Sequence, residues 1–404
     1  NAVSNVARFG HWKAGNLDAL HATPWIPDPI EEDQRSVFST VYRLCLLGHV
    51  EMQQLHFPLA ERRFNEAMDL AERHAGPHSI AAALCAPMIA QLRYEQGRLD
   101  DAEALLVELM PVIELAAFLD SVLISYRILV RIAVARGNFA HAHALLDAGQ
   151  ALGQSRRWNR LVAAALAERT RLNLAECRFA EAAACVAQLR QLASAPDGSG
   201  APVSPEIENY RDLGAACLAI RRQQNQEAVA ILSGALARLE PLHGTYLSLR
   251  LRTLLALAWL DAGERERALE MFYEVAVLAA PAGICQSTID QGPEIGPLLK
   301  LARTAGWAQP IVAWLDRLLA GWRALYEPDS KPRQEDERER LSSRERDIVA
   351  LIALGQSNKE IARTLGITPE TVKSHVKSIF TKLAVDKRAQ AVARAQALGL
   401  IKQG

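Results

Sequence analysis

Seven polar side chains near the C-terminus recur at a spacing suited to reading a nucleic acid. Thr371, Lys373, Ser374, Lys377, Ser378, Thr381 and Lys382 share one face of a helical stretch. Its other face holds Val372, Val376, Ile379 and Leu383, spaced +4, +3 and +4 as in a single buried stripe. A lysine ammonium can donate to the acceptor edge of guanine in the major groove, while Ser and Thr hydroxyls donate to bases or phosphates. A basic helix face is more often simply solvated. The elements leading up to this one set it apart.

Ser342 and Glu345 have the spacing of a capping box that opens a first helix, with Ile348, Leu351 and Ile352 inward and Gly355 at its end. Ser357 and Glu360 repeat the pattern for a short second helix with Ile361, Ala362 and Leu365 inward. Gly366-Ile367 make a tight turn. Thr368 caps the third helix, and Pro369 takes its first position, where a missing N–H does no harm. Two short amphipathic helices meeting at a turn, the second of them basic, is the layout of a helix-turn-helix. The helix N-terminus adds a site for phosphate.

Charge agrees. The chain of 404 residues has a formal net charge of zero, yet residues 341–404 hold 11 Lys/Arg against 5 Asp/Glu. A head of +6 on a body of −6 points to a polyanion at one end only. The body is rich in Ala and Leu, half of the chain is apolar and only 6% is aromatic, which favours helices. Cys45, Cys85, Cys177, Cys185, Cys217 and Cys285 are scattered, without Cys-x-x-Cys or zinc-finger spacing, and read as reduced core residues. No apolar run has the length of a membrane span, and no signal peptide is visible, so a cytoplasmic protein is expected.

A phrase with Gly five residues before Ala recurs along the body: GRLDDAEALL at Gly97, GNFAHAHALL at Gly137 and GERERALEMF at Gly263. Degenerate copies begin at Leu55, Cys177 and Gln223. The alanines, Ala60, Ala102, Ala142, Ala182, Ala228 and Ala268, are spaced 42, 40, 40, 46 and 40. The long interval holds the loop PDGSGAPVSP (196–205). The glycine is expected to end the first helix of a pair in the left-handed conformation. The alanine lets the second helix pack closely, and Phe64, Phe272 and Val275 fill the gap to the next pair. Leu47, Gly48, Ala60, Phe64 and Ala67 sit where a tetratricopeptide-type repeat would use them, although that class has a period of about 34. The expected fold is all-α: a tetratricopeptide-like α-solenoid superhelix with a concave face, followed by a four-helix helix-turn-helix domain.

The expected boundaries are 1–30 for the end of a preceding helical unit, 31–326 for the array, 327–340 for a charged linker (EPDSKPRQEDERER) and 341–404 for the head. Stretches 295–306 and 310–325 read as closing helices of the array. The body carries no phosphate loop, nucleophile elbow, zinc-protease motif or carboxylate pair, so no enzyme is expected. His141 and His143 lie two apart on a helix and point to different faces. Arg156, Arg157 and Trp158 could hold a sugar, a carboxylate or a peptide, but more simply end a helix.

The head resembles the LuxR-type helix-turn-helix over its whole length. The resemblance rests on Leu341, Arg344-Glu345, Gly355, Ser357-Asn358-Lys359-Glu360-Ile361-Ala362, Leu365, Thr371-Val372-Lys373, His375, Ile379, Lys382-Leu383, Val385, Arg388 and Ala391-Val392. Val349 departs from the leucine usual there. By this resemblance Lys373, Ser374 and Lys377 fall at base-reading positions. Asn358, Lys359, Thr371, His375, Lys382 and Arg388 fall near the DNA backbone. Ala391, Val392 and Ala395 fall on the helix through which family members dimerise on DNA. A repeat array directly before such a head resembles the maltose-regulator type of large ATP-binding LuxR regulators. That implies a C-terminal fragment without the nucleotide-binding module, hence no cofactor in this chain and ATP only for the missing part. The expected protein is a transcription activator, homodimeric on double-stranded DNA and working with RNA polymerase. Its array would sense a small-molecule or protein effector. A scaffold whose array recruits a partner, with the head only localising it, is the alternative.

Overall fold

A computed structural model describes residues 2–13, 17–23, 34–194, 204–239, 245–327, 343–383, 385 and 387–397. The described residues are helices and turns, without a strand. They fall into two compact units, 1–326 and 327–404. No helix among them is long and apolar enough to cross a membrane.

The first unit opens with α1 (Ala2–Lys13), α2 (Leu17–Ala22) and α3 (Gln34–Gln53), then α4 (Phe57–Ala75). The array continues through α5 (Ile80–Glu95), α6 (Leu99–Ala116), α7 (Leu119–Ala135), α8 (Phe139–Ser155), α9 (Asn159–Ala175) and α10 (Phe179–Ser194). After the segment 195–203 come α11 (Pro205–Arg221), α12 (Asn225–Leu239), α13 (Thr245–Asp261) and α14 (Arg265–Ala282). A short α15 (Gln286–Ile289), α16 (Ile295–Arg303) and α17 (Gln309–Tyr326) complete it. The second unit contains α18 (Ser343–Ala353), α19 (Asn358–Leu365), α20 (Pro369–Leu383) and α21 (Arg388–Ala397). Most of the expected linker, 328–340, and of the expected loop, 196–203, lies outside the described residues.

The array has two kinds of helix because the sequence has two patterns. Helices α5, α7, α9 and α11 are buried almost all round; in α5 every residue but Ile80 and Arg93 is buried. They form an inner layer. Helices α4, α6, α8, α10, α12 and α14 bury a single stripe and turn charged faces to water. The stripe is the same each time. Ala102, Leu106, Leu109 and Ile113 in α6 match Ala228, Leu232, Ala235 and Leu239 in α12. The six expected alanines are all fully buried. One close approach is at Gly48, where an added Cβ would stand 2.5 Å from the Phe64 ring.

All six turns within pairs share one geometry. The residue five before each alanine is left-handed: Leu55, Gly97, Gly137, Cys177, Gln223 and Gly263, with φ from 58° to 85°. The next N–H then bonds back to a carbonyl five residues earlier, as in Asn138 to Ala133 at 2.9 Å and Arg178 to Asn173 at 2.7 Å. Only three of the six are glycines, so geometry outlasts the residue type that favours it. Cys177 is accordingly an exposed turn residue, not the core residue expected from sequence. Arg157 (φ 57°) repeats the turn between α8 and α9.

The inner layer carries an element that the sequence reading did not include. A strap, residues 284–294 with α15 inside it, lies on the inner layer. Its start is fixed by the buried Trp314, whose indole N–H donates to the Ile284 carbonyl at 2.6 Å. Cys285 N–H donates to the Glu95 carbonyl at 2.9 Å, and Ser287 N–H to the Glu95 carboxylate at 3.1 Å. Tyr246 O–H also donates to that carboxylate, and its ring lies 6.3 Å from Phe57, where α13 packs near α3 and α4. Burial raises the Glu95 pKa, against the hydrogen bonds from Tyr246 and Ser287.

Farther along, Tyr94 O–H donates to Asp290, and Arg171 donates to the Asp290 carbonyl. Arg131 reaches the Asp290 carboxylate at 3.5 Å and Glu168 at 2.5 Å; Arg171 reaches Glu168 at 2.7 Å. Burial pushes the Glu168 carboxyl up, but Arg131, Arg171 and Arg250 outweigh it and hold it well below the usual carboxylate range.

If the turns are equivalent, Cys177→Gly should raise the stability of the array and Gly137→Ala lower it, each by about 1 kcal/mol. Thermal melts of the two variants check this, and shifts of the same sign in both would refute the shared geometry.

Candidate nucleic-acid interface

The head is built around Ile348, Val349, Ile352, Ile361, Ala362, Val372, Ile379, Ala391 and Ala395, all buried. Val349, the departure noted in the sequence, is fully buried and fits this core. The second capping box is present: Ser357 N–H donates to the Glu360 carboxylate at 2.7 Å, and Glu360 N–H to the Ser357 hydroxyl at 3.5 Å. The Ser357 hydroxyl also donates to that carboxylate at 2.7 Å, and this bond, with the one from the Ser357 N–H, lowers the Glu360 pKa. Gly366 ends α19 in the left-handed conformation (φ 65°). Thr368 caps α20, accepting from Thr371 N–H at 3.2 Å, and Pro369 opens the helix.

The core stripe, with Val372 and Ile379 buried and Val376 packed beside them, fixes which side of α20 faces away. Thr371, Lys373, Ser374 and Lys377 are exposed on that side, and His375 is half-buried. Lys373 has a carboxylate neighbour in Glu370 at 3.7 Å, both side chains being largely in water, so this pair holds it weakly. The Thr371 hydroxyl lies 2.8 Å from that of Thr368. Lys359 is exposed at the start of α19. The side chains of Thr381 and Lys382 lie outside the described residues.

Several of the expected positions have partners within the head. Ser378 does not stand free on the reading face: its hydroxyl donates at 2.7 Å to Glu345. Glu345 is 3% exposed and packs under α20; Ser342, its expected partner in a capping box, lies outside the described residues. Arg388 and Asn358, expected near the DNA backbone, bond each other at 2.7 Å, and Arg388 also donates to the Gln356 carbonyl at 2.9 Å. The pair ties α21 to the start of α19. Ala391 and Ala395 have no exposed surface. Their small size serves packing within the head, and Val392 is half-buried against the same core. Arg344, part of the sequence signature, donates to the Leu365 carbonyl at 2.5 Å and closes the end of α19.

In the array, His143 pairs with Glu176 at 2.7 Å, and the Arg156 guanidinium lies 4.8 Å over the Trp158 ring while donating to the Glu114 carbonyl at 2.6 Å. These are helix-end contacts. No group of three or more metal-ligating side chains occurs among the described residues.

Removing the Ser378 hydroxyl takes a hydrogen bond from a buried carboxylate, which costs about 1–3 kcal/mol. Ser378→Ala should therefore lower the melting point of the head. An unchanged melt with weakened DNA binding would return Ser378 to the reading face.

Comparison with known proteins agrees with these two parts. The family described as the MalT-like TPR region matches residues 28–305, and that of bacterial regulatory proteins, luxR family, matches 339–395. Two relatives carry the designation "Putative HTH-type transcriptional regulator". YhjB of Escherichia coli is 43% identical over 70 residues, 17% of this chain and 32% of its own. A protein of Mycobacterium tuberculosis is 26% identical over 291 residues, 69% of this chain and 27% of its own. The HTH-type transcriptional activator RamA of Corynebacterium glutamicum is 44% identical over 62 residues, 15% of this chain and 22% of its own. The matches thus span about a third or less of the length of these relatives. With an array model covering more than half of it, the chain belongs to the MalT-like TPR region family and carries a luxR-family regulatory domain behind its array.

Proposed function

We propose that this chain is a sequence-specific DNA-binding transcription regulator that acts in the cytoplasm, its head reading the major groove through α20. The observation that carries the reading is the outward face of that helix. Thr371, Lys373, Ser374 and Lys377 are exposed opposite a fully buried stripe, on a helix capped at both the preceding turn and its own start. Lys373, Ser374 and Lys377 read base edges; Thr371, Lys359 and His375 steady the phosphates. Arg388 and Asn358 act one step back, by fixing α21 against α19. The relatives designated as transcriptional regulators support the same function.

A net charge of +6 on the head gives modest phosphate attraction, so binding as a homodimer on two half-sites follows as part of the proposal. The array is its sensing part, and RNA polymerase its partner at a promoter.

Lys373→Ala and Lys377→Ala should each weaken binding to a selected site by about 1–3 kcal/mol while changing binding to random duplex much less. Fluorescence anisotropy on both duplexes measures this. Equal losses on the two would reduce the lysines to phosphate contacts and remove α20 as the reading helix.

A further inference from the structure

A cavity of about 300 Å³ lies among the inner helices, at the small end of the range for ligand pockets. Val130, Val134, Leu172, Ile220, Leu254 and Leu257, from α7, α9, α11 and α13, give it aliphatic walls. The strap from Asp290 to Glu294 forms another side, and Leu325 and Tyr326 at the end of α17 a third.

The charges of this lining cancel. Arg131, Arg171 and Arg221 stand against Glu168, Asp290 and Glu294. Each is already paired within the set: Arg131 with Glu168 and Asp290, Arg171 with Glu168, and Arg221 with Glu294. Arg221 also donates to the Leu174 carbonyl at 3.2 Å. All six are buried or half-buried. The lining residues that face water are instead Phe139, Ala175, Pro293 and Tyr326, none of them charged. Phe139 and Tyr326 keep 37% and 38% of their surface in water. An uncharged rim with two aromatic rings in water, around an aliphatic cavity, is surface that a ligand would bury.

We propose that this cavity binds an uncharged, largely apolar molecule of about a dozen non-hydrogen atoms, the volume being roughly twice that of a cavity that holds benzene. The lack of charge follows from the lining. An ion would need a partner taken from one of the existing pairs, and the other member of that pair would be left buried and alone. A sugar would bring hydroxyls to aliphatic walls that cannot bond them. The chain that follows Tyr326, residues 327–340, has no apolar side chain apart from its two prolines, so it offers little to fill the site. A molecule in the cavity would touch the inner helices, the strap and the end of α17 together, and α17 is where the chain leaves the array. Its role as an effector rests on the reading of the array as the sensing part; its binding does not.

The test is calorimetric titration of the full chain with butylbenzene, limonene and 4-phenylbutan-1-ol, and with 4-phenylbutanoate and 4-phenylbutylamine as charged counterparts. At least one of the neutral three should bind, about tenfold or more tighter than either ion. Val134→Phe puts a ring into the cavity and Ala175→Trp puts one at its mouth, and each should weaken that binding about tenfold or more. If Val134→Phe does not fold, Ala175→Trp, changed only where the chain meets water, decides alone. Failure of all three neutral molecules to bind overturns the proposal and leaves the cavity to a side chain of a partner protein. A charged counterpart that binds as tightly also overturns it, as does wild-type affinity in the folded variants. If a neutral molecule binds but leaves the affinity of the full chain for DNA unchanged, the site stands and the sensing reading falls.

Discussion

An ionised carboxylate on the inner wall of the array dictates what must surround it. Glu168 is 4% exposed, and an isolated carboxylate in such a place would cost several kcal/mol. Arg131 of α7 and Arg171 of the same helix, α9, supply the partners. Arg131 extends the chain of charge to Asp290, where Tyr94 of α5 joins it. Four elements distant in sequence are thereby held in one register. Aliphatic packing tolerates small slips between helices, but guanidinium–carboxylate geometry does not.

Around this charged centre the array solves a packing problem with small residues. Inner helices have no polar face to turn to water, so each must be covered on all sides. The outer helices cover them by presenting one repeated stripe that begins with alanine, which lets each outer helix approach closely. Neighbour-to-neighbour packing of this kind makes stability largely a sum over adjacent pairs. The strap departs from that rule. Its bonds to Glu95, Arg131 and Arg171 cross intervals of more than a hundred residues, and they couple the far part of the array to its middle.

What the sequence made legible follows from the range of the interactions. The turns and the alanine stripe were legible because they are local and recur every 40 residues or so. The helices of the head were legible for the same reason: caps and stripes lie within a few residues of one another. The strap could not be found this way, since Asp290 and Arg131 carry no mark in the sequence that they will meet. The same holds on a smaller scale for Ser378 with Glu345 and Arg388 with Asn358. In each pair a polar residue that reads as exposed within its own helix is claimed by another helix. The left-handed Cys177 and Gln223 did leave a signal: both stand five residues before a repeat alanine, where Gly97 and Gly137 stand in the clearer copies.

The head and the array meet in one functional claim, that α20 offers a face built to discriminate between base pairs. A helix that only attracts phosphate would have the same charge without needing the small, closely set Thr371, Ser374 and paired lysines. The most direct measurement is selection of duplexes bound by the full chain from a randomised pool, followed by sequencing. The account predicts convergence on a defined motif, with two half-sites about one helical turn apart if the chain binds as a dimer. A pool that stays random through successive rounds while still being retained would contradict it.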